Sequence, residues 1–226
     1  MADNKYRVLA IPDLHAPYHH PGALDFLSDV AKEFKPTKII LLGDEFDGHA
    51  FSVHPKEPDL YSAGHEYDAA LIFMKQMYKL FPNVQVCLGN HTLRPWRVAK
   101  AAGLPSRMIL DYNKLFEAPP TWRYANHWFV DGVKYEHGDR GGSGRNAIYK
   151  AMMENRCSTV IGHIHAWPQV LYSENEHNLI FGMNAGCLVD LGSLAFAYAK
   201  YRNKGVLGCG VVIEGESAYF IKMPTW

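Results

Sequence analysis

Five short stretches place residues that bind metals or move protons directly after apolar runs. They are PDLH with Asp13 and His15, GDEFD with Asp44 and Asp47, GNH with Asn90 and His91, HGD with His137, and GHIH with His163 and His165. Carboxylates and imidazoles together suit divalent first-row metals. Two such ions about 3.5 to 4 Å apart can hold a phosphoryl oxygen, activate a water and stabilise the leaving oxygen of an in-line displacement. Taken singly, each stretch has an ordinary explanation, because an Asp after a strand is usually a turn former. Five of them in one chain, each following an apolar run, are not independent accidents.

Loops of this kind need a scaffold that brings them together. YRVLAI (6–11), KIILL (38–42) and NVQVCL (83–88) read as buried strands. Between them, residues 22–34 put Leu24, Leu27, Ala31 and Phe34 on one helical stripe, and residues 66–81 repeat Ala70, Phe73, Met77 and Leu80 at similar spacing. The alternation predicts βαβ units, whose ligands bind beyond the carboxyl ends of the strands. Further along, HWFVDGVKYEHG (127–138) predicts a hairpin about Asp131 and Gly132, GRNAIYKAMME (144–154) a helix, and STVIG (158–162) a buried strand. QVLYSE, NLIFGMN, GCGVVIEG and SAYFIKM predict a strand-rich end with a turn at Glu214 and Gly215. Because the chain bends where a strand ends, the i and i+2 residues of D-x-H and H-x-H can turn toward one centre. Gly43, Gly89 and Gly162, which precede Asp44, Asn90 and His163, are expected to let the backbone turn tightly there. The expected architecture is α/β, two sheets sharing one core with helices outside, in a single domain over residues 1–226.

Composition narrows the setting. The 226 residues are 48% hydrophobic and 20% charged, enough for one sizeable core. Lysine plus arginine and aspartate plus glutamate each number 23, so no overall field draws the chain to nucleic acid or a membrane surface, and any attraction to phosphate must be local. No run approaches a membrane span, and MADNKYRVLAIPD lacks a charged-then-apolar leader, which points to the cytoplasm. Cys87, Cys157, Cys187 and Cys209 form no CxxC pair and read as thiols in a reducing compartment.

The ordered series D-x-H, G-D-x-x-D, G-N-H, H and G-H-x-H, spanning residues 13–165, resembles the calcineurin-like metallophosphoesterase family. The resemblance implies a four-layer α/β/β/α fold, a two-sheet β-sandwich flanked by helices. It also implies two divalent metals, Mn²⁺ first, with Fe, Zn²⁺, Ni²⁺ or Co²⁺ as alternatives. By the same resemblance Asp13, His15 and His165 would hold one metal, Asn90, His137 and His163 the other, and Asp44 would bridge them. His91 would be the general acid beside the leaving group, oriented by Asp47; a carboxylate partner favours the charged imidazole. Thr92 departs from the Asp or Glu frequent at that place in the family, which bears on loop geometry more than on catalysis.

Substrate choice rests on weaker signals. Arg94, Arg97, Arg140 and Arg145 lie close in sequence to the expected ligands, and guanidinium groups match phosphate oxygens, though each is equally readable as a solvated arginine. Residues 48–68, with His49, Phe51, His54 and Tyr61, are longer than a simple connection and could wall the site, the histidines reading as non-ligands. A phosphodiesterase, including a nuclease, would use Trp96, Trp122, Trp128 or Trp167 to stack bases. A phosphomonoesterase acting on nucleotides, sugars or phosphoproteins would need a tighter arginine pocket. The protein serine/threonine phosphatase branch is disfavoured because Gly48, not arginine, follows Asp47. A metal-free scaffold is the third reading, opposed by ligand-type residues in every block. The expectation is a phosphoesterase acting on a phosphoester, nucleic acid or nucleotide among its substrates, with no membrane partner.

Overall fold

The computed structural model of the protein describes residues 5–52, 57–140, 142, 144–193, 195 and 205–224. His54 lies outside them. Strands β1 (Arg7–Ile11), β2 (Lys38–Leu41) and β3 (Val84–Cys87) alternate with helices α1 (Ala23–Phe34) and α2 (Ala63–Leu80). Helices α3 (Arg94–Ala101) and α4 (Tyr112–Leu115) then lead into β4 (Trp122–Ala125). The second half runs β5 (His127–Val130), β6 (Val133–Glu136), α5 (Ala147–Asn155), β7 (Thr159–Ile161), β8 (Gln169–Glu174), β9 (Leu179–Asn184), β10 (Gly208–Ile213) and β11 (Ser217–Lys222).

Among the described residues these strands form two mixed sheets, ordered β11-β10-β1-β2-β3-β4 and β5-β6-β7-β9-β8. In the first, β1 to β4 are parallel neighbours, and in the second so are β6, β7 and β9. Side chains alternate across each strand. Leu9 and Ile11 therefore pack with Leu27 of α1 and Met74 and Met77 of α2, while Val8 and Ala10 face Tyr135, Val160 and Met183 of the other sheet. Ala147, Ile148 and Ala151 of α5 cover the far side of the second sheet at Ile161. The layers are α/β/β/α, as the sequence predicts.

Both predicted turns take the left-handed backbone a tight hairpin requires: Asp131 and Gly132 have φ 49° and 75°, and Glu214 and Gly215 have φ 56° and 72°. Helix α2 begins three residues earlier than its apolar stripe indicates, and α5 begins at Ala147. The sequence reading does not assign α3, α4 and β4. Pro95 opens α3, which buries no residue completely, and β4 is four residues long with exposed Arg123 interrupting its apolar run. Its Trp122 is fully buried, with the indole N–H donating to Phe81 O at 2.8 Å.

Candidate metal centre

The carboxyl ends of the parallel strands in both sheets meet at one place. Beyond β1, β2 and β3 come Asp13 and His15, Asp44, and Asn90; beyond β6 and β7 come His137, and His163 and His165. Donor atoms of Asp13, Asp44, His137 and His163 lie within 4.8 Å of one another, and so do those of Asp13, His15 and His165. Asp13 is common to both groups. Asp44 faces both as well, with its Oδ2 3.1 Å from His137 Nε2 and 3.9 Å from His15 Nε2. Asn90 Oδ1 is 2.9 Å from the same His137 nitrogen.

The loops are bent to achieve this. His15, Asp44 and His163 have φ 50°, 52° and 59°, in the left-handed region that side chains other than glycine's rarely adopt. Strain of this kind persists only where the surroundings fix it, and it collects at functional sites. The glycines before the site residues divide in role. Gly43 does turn with positive φ, but Gly89 and Gly162 are required for space. A Cβ on Gly89 would lie 2.1 Å from Asp44 Oδ1, and one on Gly162 would lie 2.4 Å from Asp13 Oδ1.

The donor chemistry fits divalent cations. His137 Nδ1 is 2.8 Å from Leu42 O, to which it donates. Its Nε2 then faces the Asn90 and Asp44 oxygens together, and without a cation it must carry a proton. Although burial disfavours the charged imidazole, the Asp44 and Asp13 carboxylates push His137 up to about 10. His15, likewise opposed by burial, is raised to about 10 by Asp13 and Asp47. Burial also opposes the charged form of Asp13 and Asp44, yet His137 above all holds both below the usual carboxylate range. Nearly solvent-free acids and imidazoles gathered so closely form groups that could hold a metal ion.

His91 and Asp47 stand beside this cluster. His91 Nδ1 is 2.8 Å from Asp47 Oδ1 and 2.9 Å from Asp47 O, while its Nε2 is 3.0 Å from Arg94 Nη2. Both ring nitrogens are engaged by the protein, although His91 lies within 4.8 Å of His15 and Asp44 donors. As expected, the carboxylates of Asp44 and Asp47 favour the charged imidazole, but other neighbours oppose them. Burial and then the neighbouring His15 push His91 down, outweighing Asp44 and Asp47. Asp47, despite burial, is held well below the carboxylate range by His15 and His91.

Two supports are not visible from the motifs. Thr92, fully buried, accepts from Asp44 N at 3.0 Å and donates to Glu45 Oε2 at 2.8 Å. The residue that departs from the family pattern thus ties two site loops together, and burial pushes Glu45 up to about 7. Asn184, at the end of β9, donates from Nδ2 to the carbonyls of Ile164, Ala166 and Trp167 and fixes the H-x-H loop. A polar residue closing an apolar strand was its only signal.

The arginines do not converge. Arg94 donates to Asp47 O at 2.9 Å and to Asp47 Oδ1 at 3.3 Å, so Asp47 already partners it. Arg97 is exposed on α3. Arg140 is exposed beside a polar concavity of about 290 Å³ that includes His137, and exposed Arg145 lies over the Trp167 ring. Of the tryptophans proposed for stacking, Trp122 is core, Trp96 and Trp128 are partly buried, and Trp167 is 39% exposed. In the 48–68 segment, His49 Nε2 accepts from Glu57 N at 2.9 Å, and Glu66 Oε1 and Oε2 accept from His49 N and Ala50 N, each at 2.7 Å. Tyr61 is 52% exposed and stacks with Tyr18 at 6.4 Å.

No helix among the described residues is long and apolar enough to cross a membrane. No curated protein matches the chain. Among solved structures it is similar to a metallophosphoesterase from Sphaerobacter thermophilus, with 13% identity, TM-score 0.49, and coverage of 96% of this chain and 88% of that one. It is also similar to Vacuolar Protein Sorting 29 from Cryptosporidium parvum, with 14% identity, TM-score 0.44 and coverage of 95% and 97%. The phosphoesterase Yfce from E. coli aligns with 14% identity, TM-score 0.42 and coverage of 96% and 100%. The sequence profile of the calcineurin-like phosphoesterases matches residues 6–186, a stretch that contains every donor of the cluster, and the chain belongs to that family.

Proposed function

We propose that the cluster holds two divalent metal ions, Mn²⁺ first among them, and that the protein is a phosphodiesterase. Asp13, His15 and His165 would hold one ion, Asn90, His137 and His163 the other, and Asp44 would bridge them. The carrying observation is His137 Nε2, fixed by Leu42 as a lone-pair donor and aimed with Asp44 and Asn90 oxygens at one point. Bound ions of this type supply Lewis acidity to phosphoryl oxygens and a readily ionised water.

The remaining work falls to the chain. Leu42 O fixes the His137 tautomer, and Asp13 Oδ1, accepting from His163 N at 2.9 Å, ties the H-x-H loop to the segment that follows β1. His91 would deliver a proton to the leaving oxygen from Nε2, with Asp47 orienting the ring through Nδ1. For this, Arg94 Nη2, now 3.0 Å from Nε2, would have to leave that nitrogen, which would then have to take up a proton. Preference for a diester follows from charge. The arginine nearest the cluster is neutralised by Asp47, so a phosphomonoester dianion finds no tight arginine pocket among the described residues. The concavity with Arg140 and His137 supports monoester hydrolysis as the second reading. With Mn²⁺ present, bis-p-nitrophenyl phosphate should be hydrolysed with higher kcat/KM than p-nitrophenyl phosphate. The reverse order would favour the second reading, and no hydrolysis of either would remove the first.

A further inference from the structure

Next to His91 lies a second cavity, of about 350 Å³, whose walls are carbon almost throughout. Phe46, Phe51, Tyr67, Leu115 and Phe116 form it, with His91 at one side. The polar groups at its edge are already used. Glu66 accepts from the His49 and Ala50 amides, and the Tyr67 hydroxyl donates to Leu115 O. Phe46 and Phe116 stack at 4.3 Å and stiffen one wall. A ligand inside would therefore gain apolar burial and find few hydrogen-bond partners. A sugar, or a base read by its edges, would lose its water without replacement there.

We infer that this cavity receives the leaving group of the substrate and selects an alkyl or aryl alcohol over a polar one. The inference rests on the phosphoesterase reading above, in which His91 protonates the leaving oxygen. A side chain that protonates that oxygen must touch the group departing with it, and in this structure that side chain opens onto a carbon-lined cavity. The phosphoryl group would stay at the cluster and the ester's organic arm would run past His91 along the wall of Phe46, Phe116 and Tyr67. Specificity would thus come from contacts on the far side of the general acid rather than from the arginines.

The test is a homologous series of methyl n-alkyl phosphate diesters and n-alkyl phosphates, methyl to hexyl, assayed with Mn²⁺ alongside the two p-nitrophenyl esters. Alkyl alcohols of this series ionise alike, so chain length changes burial and not leaving-group chemistry. The expected result is kcat/KM rising about threefold to fourfold per methylene until the cavity is full. Ala70→Leu, which places a larger side chain in the buried wall, should flatten that slope, and Ala63→Leu at the start of α2 should do the same if Ala70→Leu does not fold. A flat dependence in the wild type, with the p-nitrophenyl esters still hydrolysed, would overturn the cavity assignment alone. Failure to hydrolyse any of these esters would overturn the phosphoesterase reading and the cavity assignment with it. A steep slope unchanged in both variants would place the chain elsewhere and also overturn it.

Discussion

Replacing Gly89 with alanine adds one carbon and no charge. On the present backbone that carbon would sit 2.1 Å from Asp44 Oδ1 and 2.8 Å from Asp44 Cγ, whereas ordinary contact begins at 3.4 Å. The carboxyl must therefore move by more than an ångström, or the GNH loop must open. The displaced oxygen accepts from His91 N at 2.7 Å and from Thr92 N at 3.3 Å, so the same shift loosens the proposed bridge and the general acid together. Losing the shorter of those bonds costs about 1.5–3 kcal/mol, as for hydrogen bonds to charged groups. A misplacement of about 1 Å at a reacting centre lowers rate by roughly 10²-fold. Disturbing a group that orients metal ligands lowers affinity by roughly 10- to 100-fold. Gly89→Ala should accordingly bind Mn²⁺ by titration calorimetry at least tenfold more weakly. Its kcat/KM on bis-p-nitrophenyl phosphate should fall about 100-fold, with the thermal midpoint lowered but cooperative unfolding retained. Metal affinity and turnover both within twofold of wild type would refute the placement of Asp44 against Gly89.

The other predictions follow from the same geometry. Asp44→Asn should weaken both metal sites at once in calorimetry, because its carboxylate faces both ligand groups; weakening of one site only would deny it the bridging role. His91→Ala should retain metal yet lower turnover by roughly 10²- to 10⁴-fold, with a smaller loss for p-nitrophenyl than for alkyl esters; equal losses on both would exclude proton donation. Asp47→Asn should also retain metal and lower turnover, and adding it to His91→Ala should cost little more, since groups acting as one unit are non-additive; fully multiplicative losses would make Asp47 a loop residue. Against burial, the neighbouring carboxylates push His15 and His137 from the ordinary 6.5 up to about 10 in the metal-free protein. Their stabilisation is therefore complete below about 6.5 and lost as pH rises through about 10. Mn²⁺ must displace those protons, so calorimetry at pH 8 in buffers of different ionisation enthalpy should show proton release, and heats independent of buffer would contradict it.

Much of the fold is legible in the sequence because its two periodicities are clean. β1 and β2 carry apolar runs at residues 8–11 and 39–41, β3 alternates apolar residues about Gln85, α1 carries an apolar stripe, and Asp131-Gly132 and Glu214-Gly215 have the chemistry of tight turns. Helix α3 and strand β4 escape because α3 has no fully buried residue and β4 is short and interrupted by Arg123. The donors of the cluster were named from their strand-end positions and from the family resemblance. The contacts that support them are not legible, since Thr92 meets Asp44 across 48 positions and Asn184 reaches back 20 residues to Ile164. The glycines show the same limit. A turn explains Gly43, but the need for empty space at Gly89 and Gly162 depends on carboxylates delivered by other strands. Arg94 looked available for phosphate because sequence nearness to His91 says nothing of its bond to Asp47.

The proposed two-metal site of seven donors is tested most directly by metal content. After chelation and reconstitution with Mn²⁺, elemental analysis of desalted protein should find close to two ions per chain, with phosphoester hydrolysis rising in step with their uptake. A content near zero under saturating Mn²⁺, or hydrolysis that is undiminished after chelation, would contradict it.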